Sequence, residues 1–141
     1  MAAPRPEIKQ PAPRISGDAK NAPDYLFLNG NFRLAGIVPG ALEMMILRTL
    51  KRQPLHGYAL VQHIKRTSND LLQIEEGSLY PALQRLLKDD LVKAEWGISS
   101  TNRRVRIYKL TAAGSKHLER EVSSFERMLD GITRVLAPGE L

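Results

Sequence analysis

The sequence predicts a mainly α-helical fold with one small β-hairpin, and three features of the chain predict it. Between residues 41 and 88 the apolar side chains recur every three or four positions, which is the period of helices. Residues 92–96 and 104–107 alternate apolar with charged side chains, as half-buried strands do. Residues 118–136 carry apolar side chains at alternating steps of four and three, a heptad repeat. We therefore expect a winged helix-turn-helix followed by a long C-terminal helix.

The composition indicates one small basic domain. The 141 residues are 43% hydrophobic and carry 21 Lys and Arg against 15 Asp and Glu, a net charge of +6. A basic excess favours a polyanionic partner, either nucleic acid or an anionic membrane surface. The absence of cysteine excludes disulfides and thiolate metal sites. No apolar run reaches the roughly 20 residues of a membrane span and no secretory signal begins the sequence, so we expect a cytoplasmic protein with no membrane partner.

The chain divides into four segments. Residues 1–24 contain five prolines among alanine and mixed charges, which predicts a disordered tail. Residues 25–38 are too apolar for a free linker and contain an Asn-Gly turn signal, so we expect a docking segment. It folds onto either its own domain or a partner subunit. Residues 39–110 make the winged helix-turn-helix domain, and residues 111–137 make a dimerisation helix.

Three helices are expected before the hairpin. The first spans residues 41–51, and the second spans residues 57–66 and is expected to bury Tyr58. The third begins near Ser78, because a serine hydroxyl can accept a hydrogen bond from an unpaired N–H of the first helical turn. It ends at residues 89–90, where two aspartates oppose the helix dipole.

A basic hairpin follows the third helix. We expect a first strand through Trp96, a loop over residues 97–102, and a returning strand that holds Arg104 and Arg106. Trp96 is expected to pack at the root of the hairpin. A solvated basic strand has the same pattern in isolation, but a basic hairpin directly after a helix-turn-helix favours contact with DNA.

The final helix begins after Thr111, a good N-cap residue, and ends before a Pro-Gly pair. A helix of this kind could cover only its own domain. Because the three preceding helices already satisfy one another, its apolar seam favours pairing with a second copy of the chain. The seam consists of Leu118, Val122, Phe125, Leu129, Ile132 and Leu136.

Six short motifs follow one another in a distinctive order. They are residues 39–42 (Pro-Gly-Ala-Leu), 56–58 (His-Gly-Tyr), 76–83 (Glu-Gly-Ser-Leu-Tyr-Pro-Ala-Leu), 96–97 (Trp-Gly), 102–104 (Asn-Arg-Arg) and 108–114 (Tyr-Lys-Leu-Thr-Ala-Ala-Gly). This order resembles the PadR family of bacterial transcriptional regulators, in its short form with a single C-terminal helix. The resemblance covers about residues 36–137, and residues 77–83 are its most characteristic element.

The resemblance implies a homodimer whose third helix enters the major groove of double-stranded DNA and whose wing approaches the neighbouring minor groove. It further implies an approximately palindromic operator. Family members are mostly repressors, and small aromatic or lipophilic effectors release some of them. Transferred by position, the DNA-facing residues are Ser78, Tyr80, Gln84, Arg85, Asn102, Arg103, Arg104 and Arg106.

Other classes of function fit this sequence less well. His56, His63 and His117 are scattered along the chain, and neither a nucleophile motif nor a phosphate-binding glycine loop is present. We therefore expect no enzymatic activity, no metal and no cofactor. A winged-helix module that binds another protein instead of DNA stays an open alternative. A salt-dependent shift of a promoter fragment discriminates between the two.

Overall fold

The computed structural model describes residues 27–28, 31–33 and 40–139, so the expected tail of residues 1–24 lies outside the described residues. The helices are α1 (Ala41–Arg52), α2 (Gly57–Thr67), α3 (Glu76–Lys88) and α4 (Ala112–Leu136). The strands are β1 (Phe27–Leu28), β2 (Asn31–Arg33), β3 (Leu55–His56), β4 (Leu72–Gln73), β5 (Val92–Ile98) and β6 (Arg104–Leu110). The predicted fold class, mainly helical with a small β-hairpin and a long last helix, is confirmed.

Two small sheets contain the strands. β6 lies between β3 and β5 and pairs antiparallel with both, whereas β2 lies between β1 and β4. β2 runs parallel to β4, with Phe32 beside Leu72. The described part of the docking segment therefore pairs with its own chain. The expected turn at residues 29–30 lies outside the described residues.

The core lies where α1, α2 and α3 meet the hairpin and the first half of α4. Apolar residues three and four positions apart form one stripe on each helix, and burying these stripes contributes about 25 cal/mol for each Å² of apolar surface. The buried apolar residues packed together here are Leu42, Ile46, Leu47, Leu50, Leu60, Leu79, Ala82, Leu83, Leu86, Val92, Tyr108 and Leu118.

α3 begins two residues before Ser78, so the prediction of Ser78 as its N-cap is wrong. Glu75 occupies the N-cap position, and its carbonyl accepts hydrogen bonds from the N–H groups of Ser78 and Leu79, both at 3.0 Å. The backbone carbonyl of Glu75 thus pairs with two N–H groups of the first turn. Pro81 consequently lies inside the helix, where it has no N–H to donate to the carbonyl of Gly77.

α2 exposes Tyr58, so the prediction that Tyr58 is buried is also wrong. Its side chain is 67% exposed, whereas Leu60 and Ile64 of the same helix are buried. Successive helical residues differ by about 100° in direction. Tyr58 therefore lies beside the stripe that begins at Gly57, and its apolar ring faces solvent.

The turns after α2 and α3 depend on residues in the left-handed region. Asn69 has a φ of 53° and Asp90 has a φ of 56°. After α3, the N–H of Asp90 donates to the carbonyl of Leu87 at 3.1 Å, and the N–H of Leu91 donates to the carbonyl of Leu86 at 2.9 Å. This pair of hydrogen bonds ends a helix sharply, so the chain turns at once into β5.

The first turn of α4 is attached to the turn after α3. The Thr111 hydroxyl accepts from the Gly114 N–H at 2.9 Å, as the N-cap prediction requires. The same hydroxyl donates to the Asp90 carbonyl at 2.7 Å, and the Thr111 N–H donates to the Leu91 carbonyl at 3.1 Å. Gly114 is buried, and a β-carbon there would overlap the Leu91 carbonyl oxygen. Backbone thus packs against backbone, which sets the direction of α4.

We expect Gly114→Ala to lower the free energy of unfolding by about 1–3 kcal/mol, because the added methyl forces α4 away from the Leu91 carbonyl. Urea unfolding followed by circular dichroism measures the change. Gly131→Ala in the same helix is the matched control.

No atom lies within 4 Å of a β-carbon placed at Gly131, and alanine is the better helix former by about 1 kcal/mol. The control variant should therefore gain stability. A loss of the same size in both variants would contradict the packing of Gly114 on Leu91.

Candidate nucleic-acid interface

α3 presents a polar face opposite its buried stripe. The buried residues are Leu79, Ala82, Leu83 and Leu86. The exposed residues are Glu76, Gly77, Tyr80, Pro81, Gln84, Arg85 and Lys88, and Ser78 is half-buried. Gln84 and Lys88 are one turn apart and project on the same side. The amide of Gln84 can both donate and accept hydrogen bonds there, which is the chemistry needed to contact base edges.

Arg85 is held by its own chain. Its guanidinium donates to Glu43 at the start of α1, from Nε to Oε1 at 2.9 Å and from a terminal nitrogen to the same oxygen. The resemblance implied that Arg85 faces DNA. In the structure its charge is compensated by a carboxylate, on the flank of α3 that faces α1. No sequence pattern indicates this pair, because its members are 42 positions apart.

Tyr80 lies where α3, α2 and the hairpin meet. A ring carbon and the hydroxyl of Tyr80 are both 3.6 Å from the point where a β-carbon on Gly57 would stand. Burial raises the pKa of Tyr108 on β6, while Arg106 lowers it and Tyr80 raises it further. Tyr108 therefore lies within electrostatic range of both α3 and the exposed part of β6.

The hairpin of β5 and β6 has two chemically different faces. The register pairs Ala94 with Tyr108, Trp96 with Arg106 and Ile98 with Arg104, so these side chains share one face. Near the root that face is buried on the core, with Val92 and Tyr108 both inside. Farther out it carries exposed arginines. We call the exposed group Trp96, Ile98, Arg104 and Arg106 the wing face.

Trp96 does not pack at the root, so that prediction is wrong. The indole is 64% exposed, and the guanidinium carbon of Arg104 lies 4.4 Å above the centre of its ring. β5 continues past the predicted loop start at residue 97 and ends at Ile98. Trp96 therefore lies in the outer, exposed part of the strand. Alternation alone indicates which face a residue shares, but not how far the core extends along the strand.

The tip of the wing is an ordered turn. The N–H of Asn102 donates to the Ser99 carbonyl at 2.9 Å, and the N–H of Ser99 donates to the Arg103 carbonyl at 2.8 Å. Asn102 has a φ of 61°, a conformation that asparagine tolerates better than most residues. Asn102 therefore shapes the turn. Arg103 next to it is exposed.

The positive charges of the wing are not compensated within the described residues. Arg103, Arg104 and Arg106 are exposed, and in this part of the chain no Asp or Glu forms an ion pair with them. On the opposite face of the hairpin, Lys109 pairs with Glu95 at 3.1 Å. The unpaired arginines of the hairpin therefore lie at the wing face and the tip.

The predicted seam of α4 divides into two parts. Leu118 is only 1% exposed and belongs to the core of its own chain, which removes it from the predicted dimerisation surface. Val122 and Phe125 are half-buried. Beyond them the helix exposes apolar residues. Met128 and Val135, which are not part of the predicted seam, enlarge this surface. The exposed apolar residues of this end are Met128, Leu129, Ile132, Val135 and Leu136.

Two other kinds of site find no support in the described residues. No group of three or more His, Cys, Asp or Glu side chains is placed to hold a metal ion in that part of the chain. None of the helices found there combines the length and the apolar character that crossing a membrane requires. The exposed chemistry of the described residues is that of a basic hairpin, a polar helix face and an apolar helix end.

Comparison with known proteins agrees with this geometry. Residues 46–120 match the transcriptional regulator PadR-like family. The chain is 32% identical over 89 residues to an uncharacterized protein X of Lysinibacillus sphaericus, a match that spans 63% of this chain and 82% of that protein. It is similar to the structure of a transcriptional regulator from Clostridium thermocellum, with 26% identity, a TM-score of 0.66, and coverage of 72% of this chain and 98% of that one.

The chain is also similar to a PadR-like transcriptional regulator from Bacillus cereus, with 27% identity, a TM-score of 0.61, and coverage of 72% of this chain and 96% of that one. The family that residues 46–120 match is also the family named for the Bacillus cereus structure. It is the family that the six short motifs resemble. The chain belongs to the PadR-like family of transcriptional regulators.

Proposed function

We propose that this protein is a homodimeric transcriptional repressor that binds an approximately palindromic operator in the cytoplasm. The observation that carries the proposal is that one domain exposes both the polar outer face of α3 and a hairpin whose Arg103, Arg104 and Arg106 form no ion pair among the described residues. Phosphates are bound by Lys and Arg without reference to sequence, whereas base edges are distinguished by placed donors and acceptors. The wing supplies the first kind of contact and the outer face of α3 the second.

The structure supports different roles for α3 and the wing in DNA binding. Gln84 can form paired hydrogen bonds with adenine in the major groove, and Lys88 can reach a phosphate or a guanine. Arg85 is bound to Glu43 and so contributes little net charge to this face. The uncompensated Arg103, Arg104 and Arg106 supply most of the attraction for the DNA backbone. Sequence discrimination thus belongs to α3 and electrostatic affinity to the wing.

The exposed apolar end of α4 supports the homodimer. α4 has 25 residues and is about 37 Å long at 1.5 Å per residue. Exposed apolar patches beyond a few scattered residues mark interfaces. A second copy paired along this end buries the patch and relates two α3 helices by a two-fold axis. Such symmetry requires two half-sites about one helical turn, roughly 34 Å, apart.

We also propose, from the family resemblance, that a small effector releases the protein from DNA. The exposed apolar residues at the end of α4 offer a surface on which a small aromatic or lipophilic compound could bind between two chains. Addition of such compounds to the protein–DNA complex tests this part directly. We expect the electrophoretic shift of the DNA fragment to disappear as the compound concentration is raised to saturation.

We expect Arg104→Ala to weaken binding to a promoter fragment and to lower the slope of log affinity against log salt by about 0.9, because one phosphate contact is lost. Lys93→Ala is the matched control, since it removes one exposed cation from the other face of the same hairpin. Fluorescence anisotropy at several salt concentrations measures both slopes. Equal slopes for the two variants would refute the placement of the wing face on DNA.

We expect Gln84→Ala to reduce discrimination at one base pair of each half-site by about 1–3 kcal/mol, because a base-specific pair of hydrogen bonds is lost. Arg85→Ala should change discrimination much less, since Arg85 is already bound to Glu43. Competition with duplexes that carry single base-pair changes measures both variants. A greater loss for Arg85→Ala would show that Arg85 leaves Glu43 to contact bases.

We expect Ile132→Asp to convert dimers to monomers, because it places a charge within the exposed apolar end of α4. Ser123→Asp introduces the same charge on another side of the helix and should leave the dimer intact. Sedimentation velocity measures the oligomeric state. A dimer that persists in Ile132→Asp would place the interface elsewhere on the chain.

A further inference from the structure

We propose that Trp96 is a positioning residue that holds Arg104 in the orientation needed to contact the sugar-phosphate backbone along the minor groove. This inference rests on the proposed function and adds to it a specific role for an aromatic residue that the core does not use. The stack of Arg104 on Trp96 would act as one preformed unit of the wing. The partner that the wing face binds is duplex DNA.

The exposure of Trp96 is the first observation. Trp96 is the only tryptophan in the chain, and its ring stands beyond the part of the hairpin that the helices cover. Ile98, two residues farther along the same face, is 70% exposed. Large apolar groups exposed side by side indicate a contact surface. Burial within the chain therefore does not account for either residue.

The geometry of the stack is the second observation. Trp96 lies opposite Arg106 in the register and diagonal to Arg104, and long side chains can reach diagonal neighbours across a strand pair. The Arg104 guanidinium carbon lies 4.4 Å above the ring centre, within the range of a cation–π interaction. All five N–H donors of a guanidinium lie in its own plane. Stacking through the flat side leaves them free for phosphate oxygens.

The distribution of charge is the third observation, and it favours DNA over a carboxylate-rich protein partner. Glu95, the acidic neighbour of Trp96 on β5, projects from the opposite face and is paired with Lys109. Arg104 and Arg106 thus make the wing face purely cationic and apolar among the described residues. Phosphate oxygens match the arginines, and the apolar faces of deoxyribose match Trp96 and Ile98. Both components alternate along the wall of a minor groove.

A double-mutant cycle tests the role of Trp96. The full-length chain and its Trp96→Leu, Arg104→Ala and doubly substituted variants are titrated onto a fluorescent duplex of about 30 base pairs, roughly three helical turns, from the region that the wild type protects beside its own gene. Leucine keeps the apolar bulk but has no aromatic face. We expect Trp96→Leu to weaken binding about 2- to 5-fold, the range of an exposed cation–π interaction. In the Arg104→Ala background it should have almost no further effect.

Two further measurements separate positioning from a structural role. Trp96→Phe retains an aromatic face and should bind within about twofold of the wild type. All variants should unfold at the same temperature, because Trp96 lies outside the core. In the wild type, DNA binding should change the tryptophan emission, which reports only on Trp96.

Four outcomes overturn the inference. Independent, multiplicative losses for Trp96→Leu and Arg104→Ala would show that the indole does not act through the guanidinium. Wild-type binding without any change in emission would show that Trp96 is not at the DNA. Unchanged affinity of Trp96→Leu would show that Arg104 does not need the indole. A wild-type protein that shows no salt-dependent binding but captures a protein partner would remove the proposed function itself, together with this inference.

Discussion

The contact of α4 with the backbone of Leu91 is the constraint on which the rest of the arrangement depends. Gly114 allows the first turn of α4 to touch that carbonyl, and Thr111 joins the same turn to α3 through the Asp90 carbonyl. A helix end fixed by backbone contacts has little freedom to pivot. The exposed end of α4, roughly 30 Å away at 1.5 Å per residue, therefore keeps a defined direction relative to α3. In a dimer, that direction decides the distance between the two α3 helices.

Ion pairs determine which surfaces of the domain are positive. Pairs such as Arg85–Glu43 and Lys109–Glu95 are partly exposed and add little to stability. Their effect is to compensate the charge of Arg85 on the α1 flank of α3 and the charge of Lys109 on the back of the hairpin. The three arginines of the wing face and the tip, Arg103, Arg104 and Arg106, stay without an acidic partner among the described residues. A net charge of +6 attracts a polyanion, and a local cluster of unpaired arginines helps to orient it.

The sequence predicted the order of elements because apolar periodicity directly reflects the burial of one face. It located α1, α2, the hairpin and the Thr111 cap closely. It did not predict features that depend on a distant partner or on the extent of the core. Arg85 pairs with a carboxylate of another helix, and Trp96 lies outside the part of the hairpin that the helices cover. Leu118 follows the same heptad as Leu136, yet it is buried in its own chain. A repeat shows which residues share a face, but it cannot show which chain covers them.

The two halves of α4 differ in what stabilises them. Leu118 is buried by the domain, whereas Leu136 is 75% exposed. The last turns of a helix gain most of their stability from packing, so in the proposed dimer the partner chain supplies it. Folding of this end and association of the two chains then become one linked equilibrium. Operator occupancy would consequently rise more steeply than in direct proportion to the number of chains in the cell, which makes the amount of protein itself a regulatory variable.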